Sequence, residues 1–253
     1  SLGPDPGFAA LLAQRPHLAA DAQAGLLVEG VPLAAIARAA GTPTWVYAAG
    51  ALRRRARALT GALAGAGLRA SVHYAVKANP NLAVLRVLAA EGLGADVVSE
   101  GEARAARAAG IAAADIVFSG VGKTPAELVY ALEEGIGQIN LESAEEAAML
   151  AGLAAARGRR ARVALRVNPD IDAGTHAKIT TGLAENKFGV AIAAAPALYA
   201  RLAAMPGLDP IGIAVHIGSQ ITAGMAAYRA AYARVAELVL ALRAAGLPVA
   251  QVD

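Results

Sequence analysis

The sequence contains no cysteine, which excludes disulfides and thiolate metal sites within these residues. Aromatic side chains are scarce, with three phenylalanines and one tryptophan. Few platforms remain on which bases could stack, so no nucleic-acid partner is expected, although the net charge is +3 and the pI 9.4. Lysine is equally scarce, at four of 23 basic residues. The arginines are scattered over helix-like stretches, Arg53, Arg54, Arg55 and Arg57 among them, and read as solvated helix faces. No apolar run reaches the roughly 18–20 residues of a membrane-spanning helix without a charge or proline, and the best candidate, residues 190–200, carries Pro196. Residues 1–21 lack the basic region followed by an apolar run that marks a secretory signal. The four histidines, His17, His73, His176 and His216, lie far apart in the sequence without ligand spacing, and no metal is expected. A cytoplasmic location, without a membrane partner, is the expectation.

What is present is a chain of 253 residues, 57% hydrophobic and rich in alanine, enough for a sizeable core with many helical segments. A short strand is predicted at 44–47 and a helix at 49–66. A rhythm follows. Strands are predicted at 71–76, 95–99, 115–119, 137–141, 161–167, 211–217 and 249–252, and helices at 82–91, 100–109, 125–134, 143–157 and 194–204. Strand alternating with helix means a parallel sheet, and strands buried on both faces are continuously apolar, as most of these read. So many βα units indicate a (β/α)8 TIM-type barrel. Seven strands from residue 71 onward are one short of closure, and the sequence stops at the end of the last. The expected organisation is therefore an N-terminal lead-in over 1–43 and an incomplete barrel over 44–253, with an open doubly wound sheet as the alternative.

In a parallel barrel, polar residues at the C-terminal ends of strands are the site candidates. Lys77 ends an apolar strand in Tyr74-Ala75-Val76-Lys77-Ala78-Asn79-Pro80-Asn81. Burial there would lower its pKa and leave a neutral amine able to attack an aldehyde; a side chain reaching out of the barrel mouth to water is the other reading. His216 ends another strand, in Ala214-Val215-His216-Ile217-Gly218-Ser219-Gln220. Its flat ring suits stacking on an aromatic cofactor, and a hydrogen-bonded core histidine is the competing reading. Gly218 and Ser219 offer close backbone approach and a hydroxyl, both suited to phosphate. Asp96 could receive a hydrogen bond inside the barrel, whereas Glu100 reads equally as a first-turn helix acid. Arg166 needs an anionic partner, from a ligand or from a structural ion pair. The run Ser119-Gly120-Val121-Gly122-Lys123-Thr124 imitates a phosphate-binding loop, but the pattern requires glycine where Val117 stands. Thr124-Pro125 reads better as an N-cap followed by proline at the first helical position.

Several of these strings together resemble one family. Tyr74-Ala75-Val76-Lys77-Ala78-Asn79-Pro80 is similar to the lysine motif of the fold-type III pyridoxal phosphate decarboxylases. Thr181-Gly182-Leu183-Ala184-Glu185-Asn186-Lys187-Phe188-Gly189 and His216-Ile217-Gly218-Ser219-Gln220-Ile221 resemble the bacterial diaminopimelate decarboxylase family. The likeness runs from about residue 30 to the last residue. It implies a barrel of the alanine racemase-like kind that binds pyridoxal 5'-phosphate, with decarboxylation of meso-2,6-diaminopimelate to L-lysine as the activity of the complete protein. Lys77 would hold the cofactor as a Schiff base and be the catalytic residue. His216 would stack on the pyridine ring, Asp96 and Arg166 would line the pocket, and Ser219 would sit near the phosphate. It further implies a homodimer when complete. The family's glycine-rich phosphate loop, a later Glu-Pro-Gly-type segment, its C-terminal β-domain and a cysteine given across the dimer are absent here, so this chain alone is expected to be inactive. Alternatives are a single-barrel, non-catalytic pyridoxal phosphate-binding protein and a decarboxylase of the same fold type for another basic amino acid.

Overall fold

A computed structural model describes residues 7–171, 188–219, 221 and 224–253. They fall into two compact units. One comprises residues up to Val72 together with Asn79–Leu93; the other comprises His73–Ala78 and Gly94–Asp253.

The first unit opens with helix α1 (Phe8–Gln14) and a small antiparallel sheet of β1 (Leu18–Asp21), β2 (Gly25–Val28) and β3 (Val31–Pro32). The Asp21 carboxylate accepts hydrogen bonds from the backbone N–H groups of Gln23 and Ala24 and so fixes the first turn. Helices α2 (Leu33–Ala40), α3 (Ala49–Gly65) and α4 (Leu82–Ala89) complete the unit. The Asn81 side chain caps α4 by accepting from Ala83 N–H. The strand predicted at 44–47 does not form. β-branched and aromatic residues favour a strand only where a ladder partner exists; no described strand pairs with this stretch, and Trp45 is 89% exposed.

The second unit is a parallel sheet flanked by helices. Its elements are β4 (His73–Ala75), β5 (Gly94–Val97), α5 (Glu100–Ala108), β6 (Ile116–Phe118), α6 (Pro125–Glu134), β7 (Gln138–Leu141), α7 (Ala144–Ala155), β8 (Ala161–Asn168), β9 (Val190–Ala191), α8 (Ala195–Ala204), β10 (Leu208–Val215), α9 (Ala226–Ala244) and β11 (Gln251–Val252). The spatial order is β4-β5-β6-β7-β8-β10-β11, with the short β9 paired to β8. Apart from the short β9, each strand lies beside the one before it without the reversal that marks a doubly wound sheet, which removes the open-sheet alternative. The sheet is also curled. The side chain of Gln138, on β7, donates to Asp253 Oδ2 at 2.9 Å, although Asp253 follows β11, three positions away. In a flat sheet three strand spacings would separate them by about 14 Å. Monotonic order and curl together make an incomplete (β/α) barrel, with β4 and β11 as its edges among the described residues.

The helices start where polar caps follow strands. Ser99 caps α5 through Glu102 N–H, and Ser143 caps α7 through Glu146 N–H. Thr124 and Glu127 form a reciprocal capping box at α6, with Pro125 in its first turn. The core lies between sheet and helices, where Phe118, Leu128, Ile139, Leu141, Leu150, Leu165, Leu202 and Ile213 are fully buried. Each contributes about 1.5–3 kcal/mol through removal from water. Helix α9 and the antiparallel sheet of the first unit have no counterpart among the predicted elements.

Candidate active site in the barrel mouth

Side chains alternate across a strand, so the residues facing the barrel interior can be read from register. Asp96 lies beside Val117, Val117 beside Gln138, Asn140 beside Ala164, and Ala214 beside Arg166. The outward set between them, Val97, Ile139, Leu141, Leu165 and Val167, belongs to the buried core. The inward set is strongly polar, contrary to the expectation of continuously apolar strands.

A cavity of about 510 Å³ opens at the C-terminal ends of these strands, and its wall includes Lys77, Asp96, Arg166, His216 and Ser219. All five site residues anticipated from the sequence are thus brought together from β4, β5, β8 and β10 and the loops that follow them. The Asn186-Lys187 part of the family-like motif lies outside the described residues, as do Gln220 and the remaining residues from 181 to 185. Phe188 is described, lines the same cavity, and places its ring centroid 5.8 Å from the Arg166 guanidinium carbon.

Each group has a distinct environment. Lys77 is exposed to solvent, so the burial invoked for it is not what this structure provides; its amine stands open at the mouth. Asp96 Oδ1 accepts the Ser119 hydroxyl proton at 2.5 Å. Its pKa is raised, first by burial and then by repulsion from Asp253, against the lowering effects of the Ser119 hydrogen bond, Lys77 and His73. Solvent reaches the His216 imidazole, yet the protein around it still lowers its pKa, first through desolvation and then through the positive charges of Arg166 and Lys77. Arg166 Nη1 donates to Glu142 Oε1 at 2.6 Å, so the ion-pair reading holds for one face of its guanidinium. Arg166 Nε and Glu142 Oε2 are buried without a hydrogen-bond partner among the described residues. Glu100 behaves as the surface helix acid, paired with Arg104 at 2.7 Å.

Four polar residues of the site escape a motif search. Gln138 and Asn140 form the barrel floor, where Gln138 Nε2 donates to Asn140 Oδ1 at 2.7 Å and Asn140 Nδ2 donates to Ser119 Oγ at 3.0 Å. Glu142 anchors Arg166, and Asp253 closes the floor from the far side. The signal for three of them is present in the sequence, because Gln138, Asn140 and Glu142 are polar at every second position of an otherwise apolar strand. Lys123, in the rejected phosphate loop, does not face the cavity: its side chain is 1% exposed and pairs with Glu146 at 2.7 Å.

Comparison with known proteins meets this geometry. The chain is 54% identical over 229 residues to diaminopimelate decarboxylase of Zymomonas mobilis subsp. mobilis, covering 90% of this chain and 54% of that protein. The crystal structure of AQ1208 from Aquifex aeolicus superposes with a TM-score of 0.85 at 36% identity, over 96% of this chain and 56% of that one. Diaminopimelate decarboxylase of M. jannaschii in co-complex with L-lysine gives 0.83 at 32% identity, over 93% and 55%. The chain therefore spans about half the length of the curated relatives it matches. Residues 49–253 match the family described as pyridoxal-dependent decarboxylase, pyridoxal binding domain, and with a parallel barrel that gathers an amine, an imidazole and a guanidinium at one mouth, the chain belongs to that family.

Proposed function

We propose that this chain forms the cofactor half of a diaminopimelate decarboxylase, which converts meso-2,6-diaminopimelate to L-lysine in the last step of lysine biosynthesis. The observation that carries the reading is the exposed Lys77 amine at the mouth of a cavity that it shares with His216, Arg166 and Asp96. The residues fit pyridoxal phosphate. A primary amine is the group that condenses with its aldehyde, a flat imidazole offers a stacking face to its ring, and Arg166 carries on the cavity wall a buried N–H without a partner among the described residues. When bound, the cofactor supplies an electron sink for the bond pair released as carbon dioxide leaves.

The chain's own groups then have separable tasks. Lys77 holds the cofactor covalently and carries the catalytic amine. His216 supports the ring face, and its lowered pKa keeps the imidazole neutral at neutral pH. Asp96 is held in place by Ser119, and Arg166 by Glu142. Ser219 contributes its hydroxyl to the phosphate. The helices outside the sheet bury Leu128, Leu150 and Leu202 against it, while the polar interior faces the reactants. The complete enzyme works in the cytoplasm as a homodimer on a small amino-acid substrate, with neither nucleic acid nor membrane as partner. Among the described residues no helix is long and apolar enough to cross a membrane. Identity to named diaminopimelate decarboxylases reaches 54%, whereas the lysine decarboxylase from Selenomonas ruminantium is similar at 24%, a level that speaks for the fold alone. This contrast favours diaminopimelate over another basic amino acid.

The test is to incubate the chain with pyridoxal phosphate, reduce with borohydride and map the modified peptide by mass spectrometry. Label should concentrate on Lys77 and spare Lys123, whose amine is buried and fully bonded. Label on Lys123 to the same extent, or none on Lys77, would refute the site. A protein of the relatives' full length should release carbon dioxide from meso-diaminopimelate; release from ornithine or arginine instead would replace the substrate.

A further inference from the structure

Lys123 is buried with all three ammonium protons engaged. Its Nζ donates to Gly120 O at 2.6 Å, to Asn140 O at 2.8 Å and to Glu146 Oε1 at 2.7 Å. Buried ion pairs are often no more stabilising than apolar groups of the same volume, so stability alone is a weak reason for this one. Its connections point elsewhere. The second carboxylate oxygen of Glu146 accepts Glu142 N–H at 2.8 Å. Glu142 Oε1 in turn accepts hydrogen bonds from Gly120 N–H at 3.1 Å and from Arg166 Nη1 at 2.6 Å. Lys123 thus ties the loop after β6, the end of β7 and the first turn of α7 into one frame, and Glu142 is the side chain that the frame aims. Neither Lys123 nor Glu146 lines the barrel-mouth cavity, whereas Arg166 does. Their influence can reach that cavity through Glu142 and Arg166, or through Gly120 and Asn140, which Lys123 holds and which also line it; removing Arg166 separates the two routes.

We propose that Lys123 and Glu146 are positioning residues of the cofactor cavity, which lock the two loops around Glu142 so that Glu142 fixes the Arg166 guanidinium against the cavity wall. The inference rests on the reading that this cavity takes pyridoxal phosphate.

The test titrates pyridoxal phosphate by absorbance into this chain and into three variants: Lys123→Met combined with Glu146→Leu, Arg166→Met, and all three replacements together. Removing both charges of the pair leaves neither buried alone. Thermal melting accompanies each titration. The paired replacement is expected to melt below the parent, because Asn140 O and Glu142 N–H lose buried partners, and to bind about tenfold more weakly at temperatures where it remains folded, with a shifted absorbance maximum of the bound cofactor. In the Arg166→Met background the same pair is expected to change affinity less than about twofold, because the route through Arg166 is already cut. Parent-like affinity in the paired variant overturns the inference. So does a loss of equal size without Arg166, which would mean that the pair acts through Gly120 and Asn140 or by loosening the barrel, and not through Glu142 and Arg166. Should the paired variant melt too early to titrate, Glu146→Gln, which leaves one acceptor oxygen for two donors, is read by the same comparison. A parent chain that takes no cofactor on Lys77 overturns the cofactor reading and this inference together, while parent binding that is indifferent to the pair overturns the inference alone.

Discussion

Asn140 Nδ2 donates to Asp253 Oδ2 at 2.8 Å across the barrel interior, and the same oxygen accepts Gln138 Nε2 at 2.9 Å. One carboxylate oxygen therefore joins β7 to the end of β11 through space rather than through the ladder. Gln138 and Asn140 are both buried, so the two amides have little water to turn to if Asp253 is lost. Asp253→Ala should destabilise the chain by about 1–3 kcal/mol, the usual cost of leaving buried donors unsatisfied. Asp253→Asn keeps an acceptor oxygen and should cost less. Urea denaturation followed by circular dichroism measures both, and equal midpoints for parent and Asp253→Ala would show that the floor network does not hold the curl.

The lowered pKa of His216 makes a pH prediction of definite sign. Desolvation is the larger cause, and Arg166 and Lys77 add repulsion. The unfolded chain then binds the proton more readily than the folded one, so stability rises with pH across the window between the two pKa values. His216 should thus cost the fold nothing above the ordinary value of 6.5 and destabilise it progressively as the pH falls below that. Replacing His216 by phenylalanine should flatten the fall in stability on the acid side of neutrality. Parallel parent and variant curves from pH-dependent denaturation would sink the assignment.

Much of this arrangement was legible in the sequence, for identifiable reasons. The helix over 125–134 was delimited correctly because Thr124, Pro125, Glu127 and Gly135 mark both of its ends. The central strands were found because their outward faces are apolar. Lys77 and His216 stood out as polar residues at strand ends. The polar barrel floor was not legible in the same way, because averaging over both faces of a strand hides a period of two. Gln138, Asn140 and Glu142 alternate with Ile139 and Leu141, but only pairing with β6 and β8 shows which face is inside. The stretch around Trp45 erred in the opposite direction: its strand propensity is strong, yet propensity supplies no partner. Lys123 was hidden by its setting among glycines, where a loop lysine is usually solvated.

Gly120 offers a third prediction, because its backbone does what few side chains permit. Its φ is +93°, and a Cβ there would stand 3.2 Å from Val98 Cβ. Its N–H and C=O both serve the frame around Glu142. Gly120→Ala should therefore lower stability by about 1–3 kcal/mol through backbone strain and weaken pyridoxal phosphate binding as the frame shifts. Calorimetry and absorbance titration of one sample measure the two effects. A variant with parent stability would mean that the loop adopts another conformation at no cost.

Tyr199 gives the last. Its side chain is fully buried in α8, and the phenol donates to Pro248 O at 2.6 Å, just before β11. Burial first, and the nearby Asp209 carboxylate second, raise its pKa to about 12. A group whose pKa is raised on folding contributes stability that is complete below the unfolded value, here 10, and is lost as the pH climbs through the folded value. Spectrophotometric titration of the six tyrosines should show one phenol ionising near 12, and Tyr199→Phe should remove that step. The same variant loses the hydrogen bond to Pro248. Its carbonyl lies on an exposed residue and can turn to water, so the cost at neutral pH should be modest, about 0.5–1.5 kcal/mol. If the late step survives in Tyr199→Phe, the buried phenol belongs to another tyrosine and the tether between α8 and the last strand is not this bond.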